Sequence, residues 1–135
     1  MMMTWKPTSV PDEDAFAAIK AGIDALPPGV KMLLNSGQCV LVSTSSVSMI
    51  SQFTIGEFYG QGFTVTNLEL VARFFEKYLD YTDRAFLSAK GGLVPGGLKA
   101  DGSRDNLRRS VDTILKTLRG TKRLDLFEPA RRDPN

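Results

Sequence analysis

Helical and extended signals alternate along this chain, and that alternation restricts its fold more than any other feature. Pro11-Asp12-Glu13-Asp14 sets acids at the start of a helix, where the positive end of the helix dipole favours them. Phe16, Ile19, Ile23 and Leu26 recur on its apolar face until Pro27-Pro28-Gly29 stops it. Residues 30–34 read as a short buried strand ending at Asn35. Thr66-Asn67-Leu68-Glu69 has capping-box spacing, with the threonine oxygen set to accept from the Glu69 amide. Its helix buries Leu68, Val71, Phe75 and either Tyr78 or Leu79. Ala85-Phe86-Leu87-Ser88-Ala89 reads as a second strand, closed by Lys90-Gly91-Gly92. Ser103 caps a third helix carrying Leu107, Val111, Ile114, Leu115 and Leu118, ended by Gly120. Leu124-Asp125-Leu126-Phe127 is the third strand. Strands separated by helices pair in parallel through crossovers, so an α/β sheet or barrel is expected, with cover needed on both faces. Three strands are too few to close a barrel, so the architecture reads as partial.

Composition narrows the chemistry. Histidine is absent and Cys39 is the only cysteine, which excludes histidine catalysis, cysteine-rich metal sites and an internal disulfide. The net charge is +2, yet the last third holds Arg104, Arg108, Arg109, Lys116, Arg119, Lys122, Arg123, Arg131 and Arg132. No aromatic residues interleave with them, so they read as a solvated helix face and not as a nucleic-acid site. No stretch is long and apolar enough for a membrane span, and Met1 to Pro7 lacks the apolar core of a signal peptide. A cytoplasmic protein without membrane or nucleic-acid partners is expected. The glycines from Gly91 to Gly97 lack phosphate-loop spacing and read as a flexible loop.

Glu57-Phe58-Tyr59-Gly60 and Lys90-Gly91-Gly92 are the candidate chemistry. A tyrosine, with an ordinary pKa of about 10, becomes a useful proton donor when a nearby ammonium stabilises its phenolate. Taken alone, Tyr59 reads more readily as a rim aromatic and Lys90 as a solvated charge, and Asn35 nearly as readily as a turn residue. Asn35, Tyr59, Lys90 and the segment after Phe127 nevertheless all fall at or just beyond strand C-terminal ends, where barrel enzymes carry their chemistry.

The sequence resembles the aldo-keto reductases, and more narrowly their fungal pyridoxal reductase branch. The likeness runs through Met3-Thr4-Trp5, Asn35-Ser36-Gly37 joined to Glu57-Phe58-Tyr59-Gly60, Leu87-Ser88-Ala89-Lys90-Gly91-Gly92, Asp101-Gly102-Ser103, and Leu124-Asp125-Leu126-Phe127-Glu128 with Ala130-Arg131. It implies a partial (β/α)8 TIM barrel, roughly the first four strand-helix units with the first strand truncated. It also implies NADPH-dependent reduction of an aldehyde such as pyridoxal. On that resemblance Tyr59 is the acid, Lys90 the lysine that lowers its pKa, and Asn35 a third catalytic position. Trp5, Ala130 and Arg131 fall at substrate positions. Most of the family has an aspartate where Asn35 stands and a histidine where Ala130 stands; the pyridoxal reductase branch shares both replacements. The family's adenosine-phosphate segments of the NADP(H) site fall outside the resemblance, so no cofactor-binding residue is assigned.

Residues 38–56, uncharged and rich in serine, valine and threonine, interrupt the likeness between Gly37 and Glu57. They read as an insertion within an incomplete domain of residues 1–135, and as a translated intron. The resemblance therefore predicts a fragment that is inactive alone and self-associates through exposed strand edges. The alternative is a pseudoenzyme or interaction module that keeps the scaffold.

Overall fold

A computed structural model describes residues 8, 10–35, 57 and 64–133. Trp5, Tyr59 and the insertion at 38–56 lie outside the described residues. The elements run α1 (Asp12–Asp24), β1 (Met32–Asn35), α2 (Thr66–Lys77), a single 3-10 turn (Leu79–Tyr81), β2 (Ala85–Gly91), α3 (Arg104–Leu118) and β3 (Leu126–Pro129). The expected α/β alternation is therefore present, and no helix among the described residues is long and apolar enough to cross a membrane.

Several boundaries differ from the sequence expectation for identifiable reasons. Val30 donates its N–H to the Pro27 carbonyl at 3.2 Å, so it closes the turn after α1 and the strand begins only at Met32. The capping box does not form. Val65 occupies the N-cap with no side-chain bond, Glu69 N–H takes the Val65 carbonyl at 3.1 Å, and the Thr66 hydroxyl pairs with that of Thr64 at 2.7 Å. Thr66 is already inside the helix, one position too late to cap it. At the other end of α2 the ring of Tyr78 packs on the core while Leu79 is exposed. Ser103 does cap α3, its Oγ accepting from Asn106 N at 3.4 Å. The helix closes through Arg119 at φ 52° and Gly120 at φ 75°, the left-handed region where glycine carries no steric penalty. Leu115 is exposed on α3, because the buried stripe is Asn106, Ser110, Ile114 and Leu118. The glycine-rich segment after β2 is an ordered turn. Leu93 and Ala100 form an antiparallel bridge, and Val94 N–H bonds the Lys99 carbonyl at 2.9 Å.

The strands form one parallel sheet in the order β1-β2-β3. Its register sets Asn35 opposite Ser88 and Lys90 opposite Glu128. Because side chains alternate between faces, Met32, Leu34, Ala85, Leu87 and Ala89 share one face. They are buried against Phe16, Ile19, Ile23, Leu68, Val71, Phe74, Ile114 and Leu118 from the helices. Phe74 anchors this core with edge-on contacts to Phe16 and Phe75, centroids 5.7 and 5.0 Å apart. Such aromatic pairs add about 0.5–1.5 kcal/mol each beyond burial. Leu33, Asn35, Phe86, Ser88, Lys90, Leu126 and Glu128 share the opposite face. Phe86 is 37% and Leu126 44% exposed there, so the described residues cover one face of the sheet and leave the apolar part of the other open.

β3 starts two residues later than its apolar run suggests because Asp125 is used as a bracket. Its N–H bonds the Leu87 carbonyl at 2.9 Å, while its carboxylate accepts from Leu87 N–H at 2.8 Å and pairs with Lys122 and Arg123, both at 2.9 Å. The Asp125 side chain is 7% exposed. Burial pushes its pKa up, but the Leu87 N–H and then the Lys122 and Arg123 cations outweigh it, and the carboxyl ends below its ordinary value. A folded-state pKa depressed this way contributes stability that is fully present above the unfolded value of about 3.9 and is lost as pH falls through the folded value. Asp125→Asn, which keeps an acceptor for Leu87, is expected to lower the urea midpoint by a constant amount from pH 7 to about pH 5. The gap to the native chain then closes below about pH 4. A gap independent of pH would show that the charge contributes nothing.

Candidate functional site

Parallel strands all end on the same side of a sheet, so the last residues of β1, β2 and β3 gather along one rim. Asn35 is the final residue of β1, Lys90 the penultimate residue of β2, and Glu128 the penultimate pair of β3 with Pro129 after it. Lys90 thus lies within its strand and not in the loop beyond. The register sends the side chains of Asn35, Ser88, Lys90 and Glu128 to the open face. Ser88 is fully buried and its Oγ donates to Glu128 Oε1 in a short hydrogen bond. The buried Oδ1 of Asn35 has no hydrogen-bond partner among the described residues. A buried acceptor left without a donor costs about 1–3 kcal/mol. Lys90 is half-buried and takes part in none of the ion pairs formed among the described residues. Ala130 follows β3 directly, its N–H bonded to the Gly91 carbonyl at 2.8 Å, and Arg131 is exposed next to it.

Beneath this rim, on the α3 side, lies a polar cluster that the sequence reading missed. Glu57 is 2% exposed. Its N–H donates to the Lys90 carbonyl at 2.8 Å, and its carboxylate accepts short bonds from the Arg109 guanidinium and from Ser110 Oγ. Ser110 Oγ in turn accepts from Gly92 N–H at 3.0 Å. Arg109 also donates to Asn106 Oδ1 and, at 2.9 Å, to the Leu93 carbonyl. Gly91 makes room for all of this: a Cβ there would lie 2.1 Å from Ser110 Oγ and 2.8 Å from the Phe127 ring. Asn106, Arg109 and Ser110, spaced three and four apart, form one polar stripe on α3 facing β2. Their spacing on the buried side of an otherwise apolar helix face was the available signal. Arg109, tied into this cluster, and Lys122, whose side chain is 8% exposed, therefore depart from the solvated face expected for them, whereas Arg119 is exposed and pairs at the surface with Glu76 at 2.8 Å.

The register gives Glu57 a particular place. β1 leaves β2 with Asn35 opposite Ser88, so a position three residues further on would stand opposite Gly91. The Glu57 N–H to Lys90 carbonyl bond is the ladder bond of that position.

Among the described residues a tyrosine–lysine pair forms at Tyr81 and Lys20, away from this rim. Lys20 donates to the Tyr81 hydroxyl at 2.6 Å, and that hydroxyl donates to Asp24 at 3.0 Å. It sits before β2, at the amino ends of the strands, and its rings with Tyr78 and Phe74 close the apolar core. It belongs to packing: Lys20 lies over the Tyr78 and Tyr81 rings at 4.9 and 4.3 Å.

Parallel strands backed by helices, with polar side chains collected at the strands' carboxyl ends, define an α/β protein. The family description "Aldo/keto reductase family" matches residues 1–135, and the chain belongs to that family. It is 32% identical over 133 residues to an uncharacterized oxidoreductase of Schizosaccharomyces pombe, covering 98% of this chain and 33% of that protein. It is 34% identical over 133 residues to a protein of the same yeast named "Probable pyridoxal reductase 2", with the same coverage of 98% and 33%. The chain thus spans about a third of the length of the curated relatives it matches.

Proposed function

We propose that this chain carries the proton-donating part of an NADPH-dependent aldehyde reductase site, with pyridoxal or a similar aldehyde as substrate. The observation that supports this most is the bond from Glu57 N–H to the Lys90 carbonyl. It ties the residue two positions before Tyr59 to the very residue whose ammonium would stabilise a tyrosine phenolate. Bound NADPH would supply the hydride. Tyr59 would give the proton to the developing alkoxide, Lys90 would hold Tyr59 near its working range, and Oδ1 of Asn35, without a partner among the described residues, would accept from a donor in the site. Trp5, Ala130 and Arg131 would contact the substrate, with Arg131 the group available to orient its carbonyl.

The ladder position of Glu57 also supports residues 38–56 as an insertion that separates two pieces of one strand edge. Joining Gly37 to Glu57 shortens the connection after Asn35 from 21 residues to two, which by loop-closure entropy is worth about 2 kcal/mol. The 135-residue polypeptide by itself would not turn over, since it spans a third of its relatives, and its open sheet face would favour self-association. A cytoplasmic location fits this reading.

The test is a chimera. Residues 1–37 joined directly to 57–135 replace the matching third of the fission-yeast protein named "Probable pyridoxal reductase 2", and NADPH oxidation is followed with pyridoxal. Turnover is expected, with Tyr59→Phe lowering kcat by about 10²–10⁴-fold. The native 135-residue chain is expected to show none. A folded chimera without turnover would favour the non-catalytic scaffold instead, and turnover by the native chain would overturn its inactivity.

A further inference from the structure

We propose that Glu128 supplies the carboxylate of this rim and acts as a positioning residue, holding the Lys90 ammonium over the open face. As to its catalytic meaning, the inference rests on the reductase reading above. Its structural basis is separate. Lys90 and Glu128 are register partners on adjacent parallel strands, so their backbones run about 4.8 Å apart and their side chains leave the same face. The two do not form an ion pair in this structure, but both side chains are long enough to meet on that face through a change of rotamer. Glu128 is already half-oriented, because buried Ser88 Oγ donates to its Oε1. A carboxylate has about four acceptor sites. Among the described residues Oε2 accepts no hydrogen bond, which leaves it available for a second donor.

The other charged groups around Lys90 are committed elsewhere or absent. From β1 the rim offers only neutral Asn35. The Glu57 carboxylate, although its backbone bonds Lys90, turns to Arg109 and Ser110 on the α3 side. Arg131, beyond β3, carries the same sign as Lys90. Among the described residues this leaves Glu128 as the acid that shares a face and a register level with Lys90. The rim then reads across the sheet as Asn35 on β1, Ser88 and Lys90 on β2 and Glu128 on β3. Its negative charge stands on the third strand, and a neutral amide holds the end of the first. Ser88 is the link, opposite Asn35 in register and bonded to Glu128.

The pairing is read directly from the lysine in the full 135-residue chain, without any turnover. Lysine labelled with 13C at Cε is titrated by NMR, and Lys90→Arg assigns the Lys90 signal. In Glu128→Gln, whose amide still accepts from Ser88, the Lys90 midpoint is expected to fall by about half a pH unit or more. Asn35→Asp added to Glu128→Gln returns a carboxylate to the same face from the other side and is expected to bring the midpoint back up. Glu128→Asp, which keeps the charge on a shorter arm, is the variant to use if Glu128→Gln weakens the fold, and it is expected to shift the midpoint by less. A purely structural Glu128 would lower thermal stability in these variants and leave the Lys90 midpoint where it is. A midpoint unchanged in Glu128→Gln, or in Glu128→Asp where Glu128→Gln does not fold, overturns the proposal. Failure of the reductase reading appears elsewhere, as a chimera without turnover, so the two outcomes are distinguishable.

Discussion

Arg109→Ala is expected to destabilise the chain by about 3–5 kcal/mol, because it leaves the Glu57 carboxylate buried without its cation. Whole domains of this size are stable by only about 5–15 kcal/mol, so such a loss removes a large part of the total. The size follows from an asymmetry. Forming a buried pair is close to neutral, since desolvation offsets attraction, whereas removing one partner strands the other in a medium that cannot solvate it. Ser110 Oγ and the Lys90 carbonyl remain near Glu57 in the variant, but neither carries positive charge. Arg109→Lys should fall between the two. An ammonium can reach the carboxylate but cannot fork to Asn106 Oδ1 and the Leu93 carbonyl together. Glu57→Gln with Arg109 retained should cost less than Arg109→Ala, since Arg109 is partly exposed and water can solvate it. Urea unfolding at neutral pH measures all three, and a loss under about 1 kcal/mol for Arg109→Ala would show that Glu57 is not held as a buried anion.

The second large effect is expected at Gly91, where alanine should cost about 3 kcal/mol or more. The added methyl would sit 2.1 Å from Ser110 Oγ, 2.8 Å from Phe127 Cε2 and 3.2 Å from Glu57 Oε2. Overpacking alone costs about 1–3 kcal/mol. Here Ser110 must also move, which releases its bonds to Glu57 and from Gly92 N–H, each about 1 kcal/mol or more when the groups stay buried. The backbone conformation is not the obstacle, since the positive φ lies at Gly92 and not at Gly91. Ser110→Ala should therefore cost less when combined with Gly91→Ala than when made alone, a coupling that a double-mutant cycle measures. Strict additivity would mean that the methyl is accommodated without disturbing Ser110.

These two residues show where sequence reading stopped. Ser110 and Arg109 were legible as helix positions, and Glu57 as part of a motif. Nothing in the linear order said that Glu57 returns to β2 beside Lys90, since that depends on where β1 leaves the sheet. Thr66 shows the opposite error: its capping-box spacing is present, yet the chain enters α2 one residue earlier and Val65 takes the cap. Asp125 reads as part of a strand because its neighbours are apolar. It serves as a bracket because the two strands approach at that point. Lys90 was legible as a candidate from its position, and its face became legible only with the register to Glu128.

The sequence by itself determined the alternation of helices and strands, the apolar faces of α1 and α2, the location of the polar residues near strand ends, and the family. Each is a local or periodic property, carried by neighbours within a few turns or residues. Only the tertiary structure decided the β1-β2-β3 order, the buried Glu57–Arg109–Ser110 cluster beneath the rim, and the facing of Lys90 with Glu128. Those depend on register between strands distant in the chain, and a shift of one residue would send every side chain of a strand to the other face.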